Sequence, residues 1–148
     1  MKKDNGKDKE RGEIMLKQIS VYAENKKGNM KRITSILQKE QINIWGSVTN
    51  DGAEFGITRM VVSDPNKAVK ALEADGIMCR LIDVIGVEME DEVGNLDKLL
   101  GALLESNINV NYIYLSFNRD SGKPVLVFQS EEIGEVEDCI KAKGFSVI

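Results

Sequence analysis

Chemistry in a small protein often starts from histidine, and this chain of 148 residues has none. A Ser-His-Asp relay therefore cannot be assembled, and the commonest general base at neutral pH is missing. Its two cysteines, Cys79 and Cys139, stand 60 positions apart. Structural zinc asks for about four Cys or His ligands, and a nucleophilic Cys asks for a base beside it. They read as small buried thiols in a reducing compartment. Carboxylates are scattered or lie in solvated runs, and neither G-x-x-x-x-G-K-[ST] nor G-x-G-x-x-G occurs. No phosphate-cradling loop of either kind is encoded. The expectation is a protein without catalysis, metal or cofactor.

Two loops remain that could hold a ligand: Glu24-Asn25-Lys26-Lys27-Gly28-Asn29-Met30 and Glu90-Asp91-Glu92-Val93-Gly94-Asn95-Leu96. In each, a glycine permits a tight turn just where an apolar helical pattern begins. The free N–H groups of such a helix start attract anions. Plainer roles are open for every residue. Gly28 and Gly94 can serve the turn alone, and Asn29 and Asn95 stand where a helix cap belongs. Met30 and Leu96 read most simply as core.

The two loops belong to an internal repeat. An offset of 66, from Gly28 to Gly94, also lays Leu37 on Leu103, Ile42-Asn43-Ile44 on Ile108-Asn109-Val110, and Val61 on Val127. Beyond that the register slips by two, so that Leu72 falls on Ile140 and Gly76 on Gly144. Matches at both special and apolar positions indicate duplication. Each copy reads strand, helix, strand, strand, helix, strand. Ile19, Val21 and Ala23 alternate as in a half-buried strand. Met30, Ile33, Ile36 and Leu37 recur at helical spacing. Ile42, Ile44, Gly46 and Val48 alternate again, and Asn50-Asp51-Gly52 supplies hairpin chemistry. Phe55 to Val62 is a third strand, Asp64-Pro65 starts a second helix, Gly76 ends it, and Ile77 to Leu81 is a fourth strand. The second copy predicts Val84–Met89, Leu96–Glu105, Ile108–Leu115, Val125–Phe128, Ile133–Lys143 and Phe145–Ile148.

The implied fold class is α+β: two ferredoxin-like βαββαβ units in tandem, with antiparallel sheets and helices on one face. Expected bounds are a disordered tail over 1–14, a first domain over 15–82 and a second over 83–148, joined by a short link between Leu81 and Val84. A unit of this size buries only about 60% of its unfolded surface. Pairing of the copies, edge to edge or back to back and through first helices or edge strands, is expected to supply the rest. Trp45, the only tryptophan, reads as an interface anchor, a core filler or a pocket wall.

Composition narrows the partners. A net charge of −4 argues against nucleic acid, which asks for a clustered basic surface. An RNA-binding reading of the βαββαβ order would also need stacking aromatics on the third strand, where Phe55 to Val62 has only one. No apolar run approaches the roughly 20 residues of a membrane span. The expected location, by default of any address signal, is the cytoplasm.

The loop Glu24–Met30, the helix after it and Ile42-Asn43-Ile44, found in both copies, resemble the ACT domain signature over residues 16–148. In that family an Asp or Asn opens a loop ending in Pro-Gly, and a G-[IV]-N-[IV] strand follows the helix. Glu54 to Val61 is similar to the third strand of small bacterial proteins made only of tandem ACT domains. Lys27 and Val93 stand where the family has Pro, and Asp91 stands where the first copy has Asn25. The resemblance implies a regulatory protein binding a small amino acid at a domain interface, alone as a homodimer or with a partner enzyme of amino-acid metabolism. The implied ligand contacts are Asn25, Gly28, Asn29, Met30, Asn43 and Ile44, with Asp91, Gly94, Asn95 and Asn109 in the second copy. Asn25 and Asn43 offer donors and acceptors suited to a zwitterion, although Asn43 and Asn109 equally suit strand-edge backbone groups. The alternative is an interaction module without a ligand. Charge separates the loops: Lys26, Lys27, Lys31 and Arg32 mark the first, and Glu90, Asp91, Glu92 and Asp97 the second. One ligand per chain is therefore expected, its carboxylate at Gly28 and its ammonium met by Asp91.

Overall fold

The computed structural model describes residues 15–24, 26–50 and 55–148. The expected tail, Asn25, and Asp51 and Gly52 of the hairpin turn lie outside the described residues. In chain order the elements are β1 (Leu16–Glu24), α1 (Asn29–Lys39), β2 (Ile44–Asn50), β3 (Phe55–Val62), α2 (Pro65–Ala74) and β4 (Met78–Glu88). They continue as α3 (Asn95–Glu105), β5 (Tyr112–Phe117), β6 (Pro124–Gln129), α4 (Ile133–Ala142) and β7 (Ser146–Val147).

Each helix forms where the apolar spacing puts one stripe on the sheet. The buried pairs are Ile33 and Leu37 on α1, Ala68 and Leu72 on α2, Leu99 and Leu103 on α3, and Val136 and Ile140 on α4. Burying one such leucine or isoleucine side chain contributes about 1.5–3 kcal/mol. The Asp64 carboxylate caps α2 as its sequence predicts, accepting from the Lys67 N–H at 3.2 Å.

The copies are not joined by a link. β4 runs unbroken through the expected joint, pairing first with β1 (Leu16↔Val84 to Tyr22↔Met78) and then with β6 and β7. Asp83, which reads as a break in the apolar pattern, is the cross-strand partner and ion pair of Lys17. One strand thus serves as the last of the first copy and the first of the second. The result is a single seven-stranded antiparallel sheet in the order β2-β3-β1-β4-β6-β5, with β7 beside β4.

That sheet curls until its two edge strands meet. At the crossing a Cβ on Gly46 would lie 2.7 Å from Ser116 Cβ and 2.9 Å from the Leu115 carbonyl oxygen, so only glycine fits there. The Ser116 hydroxyl donates to the Trp45 carbonyl at 3.1 Å. Each copy has its own core between sheet and helices, one around Ile19, Leu37 and Leu72 and the other around Ile85, Leu103 and Phe128. The inner faces of the curled sheet close a third core on Val61, Val84, Tyr114, Val125 and Val127, with Trp45 packed against it. Pairing therefore uses the edge strands and the shared β4, and Trp45 is an anchor between copies. The second copy's second strand begins at Tyr112 rather than Ile108; Ile108 and Val110 pack on the core, while Asn109 and Asn111 are engaged by side-chain hydrogen bonds, which compete with ladder pairing.

Candidate functional site

The two β–α loops have the same backbone. Gly28 (φ 91°, ψ −7°) and Gly94 (φ 92°, ψ −7°) each cap the helix that follows in the left-handed conformation. Asn29 and Asn95 are therefore first helical residues, not caps. Their side-chain amides turn back and donate to the carbonyls of Glu24 and Glu90, closing each loop on itself.

Beside each loop lies the same groove, between the helix start and the turn that enters the last strand of the copy. In the first copy it has a volume of about 740 Å3 and is lined by Tyr22, Glu24, Lys26, Asn29, Arg32 and Met78, among others. In the second it shrinks to about 290 Å3 between Glu88, Glu90, Asn95, Lys123 and Phe145. Lys26 pairs with Glu24, whose hydrogen bond and charge raise the exposed ammonium above its ordinary value. The second loop uses Lys123, 2.7 Å from Glu90 and raised in the same way. Arg32 spans the first groove, donating from Nε to Asp75 Oδ2 at 2.9 Å and from an Nη to the Asp75 carbonyl at 2.6 Å. The second copy has Lys98 and Lys143 at those two places.

The expected ligand residues divide by position. Gly28, Asn29 and Met30 share the first loop, although Met30 turns its sulfur to the Thr58 hydroxyl, 3.3 Å away. Gly94 and Asn95 share the second loop, with Asp91 exposed on it. Asn43 and Ile44 lie at the far end of α1 from Gly28, separated by a helix of 11 residues, about 16 Å at 1.5 Å per residue. There the backbone of Asn43 bonds Ser63, the strand-edge role. Asn109 likewise lies beyond the far end of α3, in a depression of about 450 Å3 rimmed by Glu131, Glu132 and Glu135. A hydrogen bond with Glu132, and then its charge, raise the Glu135 carboxyl above its ordinary value.

Asp91 is not brought to Gly28 in one chain. The first loop flanks the start of β4 and the second follows its end. The 11 residues of β4 put more than about 30 Å between them at 3.3 Å per residue. Opposite charge on two loops cannot overcome a rigid strand.

Sequence reasoning missed the polar group inside the curled sheet. Gln18 and Ser20, 0% and 1% exposed, face inward from β1. Gln18 Nε2 donates to the Tyr112 hydroxyl at 2.8 Å and to Ser20 Oγ at 3.1 Å, and its Oε1 accepts from the Tyr114 hydroxyl at 2.7 Å. The Arg59 guanidinium stacks 4.0 Å above the Tyr112 ring. Burial, and then the neighbouring Tyr112, push the Tyr114 hydroxyl well above its ordinary value near 10, against the pull of Arg59. Gln18 and Ser20, alternating with apolar Ile19 and Val21, read in sequence as a solvated strand face. Both cysteines are free thiols, and burial raises that of Cys79, with the charge of Glu73 adding to it. Among the described residues no helix is long and apolar enough to cross a membrane, and no cluster of His, Cys, Asp and Glu could hold a metal.

Two duplicated αβ units sharing a strand, each with a glycine-capped loop beside a groove, define a tandem βαββαβ module. The chain belongs to the family described as an ACT domain pair, which it matches over residues 14–148. The crystal structure of protein BT0572 from Bacteroides thetaiotaomicron is 31% identical, with a TM-score of 0.82 over 91% of this chain and 92% of that one. Similar in fold are the regulatory subunits of aspartate kinase from Thermus thermophilus (14% identical, TM-score 0.64, 87% and 92% covered) and Thermus flavus (16%, 0.59, 86% and 92%). No curated protein matches the sequence.

Proposed function

We propose that this protein is a non-catalytic regulator that binds a small amino acid in the groove beside Gly28, and that it acts as a homodimer or on a partner enzyme of amino-acid metabolism. The observation that carries this reading is the larger first groove, where the N–H groups of α1 open beside Gly28 and two cations, Lys26 and Arg32, line the wall. A helix start stabilises an anion by about 0.3–1 kcal/mol at an exposed position, and Lys26 and Arg32 add to that once a ligand carboxylate replaces Glu24 and Asp75 as their partner. Family membership and the fold shared with aspartate kinase regulatory subunits support a regulatory role. Within one chain the ammonium would meet Glu24 on the same loop; Asp91 would reach it only from a second copy of the chain.

Calorimetry and thermal shift with individual amino acids test the reading. One site per chain is expected, lost in Gly28→Val and retained in Gly94→Val; two equal sites, or loss only in Gly94→Val, would overturn it. The rival reading, an interaction module without a ligand, is favoured by the exposed stripe Leu96, Leu100 and Leu104 on α3 (45%, 38% and 79% exposed). It predicts no amino-acid shift at any concentration and an oligomer that Leu100→Glu dissociates.

A further inference from the structure

The inner face of the curled sheet carries a group of hydrogen-bond donors with no acceptor to receive them. Ser20 of β1 stands opposite Arg59 of β3 on one side and Arg80 of β4 on the other. Directly opposed residues share a face of an antiparallel sheet, so both arginines rise from the face of the buried Ser20. Two strand spacings, about 10 Å, separate their Cα atoms, and side chains of that length can meet over the serine. Arg59 is partly buried and stacks on the Tyr112 ring at 4.0 Å, and its buried Nη1 finds no acceptor among the described residues. Arg80 is exposed and has no hydrogen-bond or ion-pair partner among the described residues.

The hydroxyls beneath the arginines are turned the same way. Tyr114 donates to Gln18 Oε1 at 2.7 Å, which sets the direction of that amide. Gln18 Nε2 then donates to the Tyr112 hydroxyl at 2.8 Å and to Ser20 Oγ at 3.1 Å. Each hydroxyl accepts from the amide and keeps its own proton to give, and neither gives it to another described residue. The result is a cluster of donors, two of them cationic, with no carboxylate paired to either arginine in a chain whose net charge is −4. A buried donor without an acceptor costs free energy, and an anion with several oxygens removes that cost.

We propose that the inner face at Ser20 binds a phosphate group, free or as a monoester, between Arg59 and Arg80, with the hydroxyls of Tyr112 and Ser20 behind it. The planar fork of each guanidinium matches two oxygens of a tetrahedral oxyanion. Two forks suit a dianion better than the single charge of a carboxylate. The site draws on β1, β3 and β4 and, through Tyr112, on β5 of the second copy. A bound phosphate therefore ties the two copies together beside the contact of Gly46 with Ser116. It takes no residue from the loop that carries Gly28.

Calorimetry on the intact chain with inorganic phosphate, methyl phosphate and acetate, at constant ionic strength, is the test. The two phosphates are expected to bind at one site per chain, and acetate more weakly by about tenfold or more, the worth of one charged hydrogen-bonded contact. Arg80→Gln, at an exposed position with no partner to lose, should weaken phosphate by a similar factor and leave the melting temperature of the unliganded protein unchanged. Arg59→Lys, which keeps the charge and removes the fork, should also weaken it, whereas Arg32→Gln, in the loop groove, should not. Tighter binding of methyl phosphate than of inorganic phosphate assigns the site to a monoester, and the reverse order assigns it to the free anion. No detectable phosphate binding, or binding unchanged by Arg80→Gln, would overturn the proposal. Loss in Arg32→Gln with no loss in Arg80→Gln would also overturn it, and would put the anion at the start of α1 instead.

Discussion

The two loop grooves share a backbone and differ in almost everything attached to it. Gly28 and Gly94 agree within a degree in φ, and Asn29 and Asn95 make the same backward hydrogen bond. Yet the first groove is spanned by Arg32 and Asp75, whereas the second has Lys98 and Lys143 there, and Lys143 turns away to Glu105 at 3.3 Å. The first helix shows Met30, Thr34 and Gln38 where the third shows Leu96, Leu100 and Leu104. Duplication preserved what the chain's own geometry demands, a glycine at positive φ and a closed loop. Surface chemistry carried no such constraint, and the copies diverged there into a charged groove and an apolar helix face.

The sharpest break in that comparison is Gly46→Val. The offset places Gly46 on Tyr112, so the second copy tolerates a large side chain where the first has none. Because the added atoms would meet the backbone of Leu115 and Ser116, a loss of about 3 kcal/mol in urea unfolding is expected. A loss below about 1 kcal/mol would mean that the edge strands do not meet in solution.

Next in size are Gly28→Val and Gly94→Val. Neither site is crowded, but both hold φ near +90°, so each should cost about 2 kcal/mol of backbone strain. Equal costs with unequal effects on ligand binding would separate shared geometry from divergent function. Markedly unequal stability costs would show that the loops are not equivalent in solution.

Tyr114→Phe comes third, at about 1–2 kcal/mol, since it leaves Gln18 Oε1 buried without its donor. This change also probes pH. Because the folded pKa of Tyr114 is raised above the unfolded value near 10, the folded state holds the proton more tightly. Its contribution is fully present below pH 10 and is lost as pH rises above that value. Unfolding free energies measured from pH 8 to 11 should fall at the alkaline end in wild type and more shallowly in Tyr114→Phe. Parallel curves would remove Tyr114 from the account. The smallest effect belongs to Asp75→Ala: Arg32 and Asp75 are about half exposed, so stability should drop by less than about 1 kcal/mol and the difference should shrink in high salt.

The sequence by itself determined the duplication, the six-element βαββαβ plan of each copy, the buried stripe of α1 at Ile33 and Leu37, and the turn glycines. All of these are local: periodicity names a face, and a positive φ names a glycine. It could not tell that β4 is continuous, because Asp83 looks like a break until Lys17 lies opposite it. Nor could it tell that Gln18 and Ser20 are buried, since alternation separates the two faces of a strand without saying what covers the second. Placing Asn43 and Asp91 beside Gly28 failed for a related reason. Sequence proximity and charge complementarity carry no distance, and a helix of 11 residues and a strand of 11 residues hold those groups apart. Only the curl of the sheet, fixed by the contact of Gly46 with Ser116 across the two copies, decided which residues meet between them. It brought Trp45 and Val61 together with Val125 at the mouth of the inner core, an arrangement set by packing between distant strands rather than by any local preference.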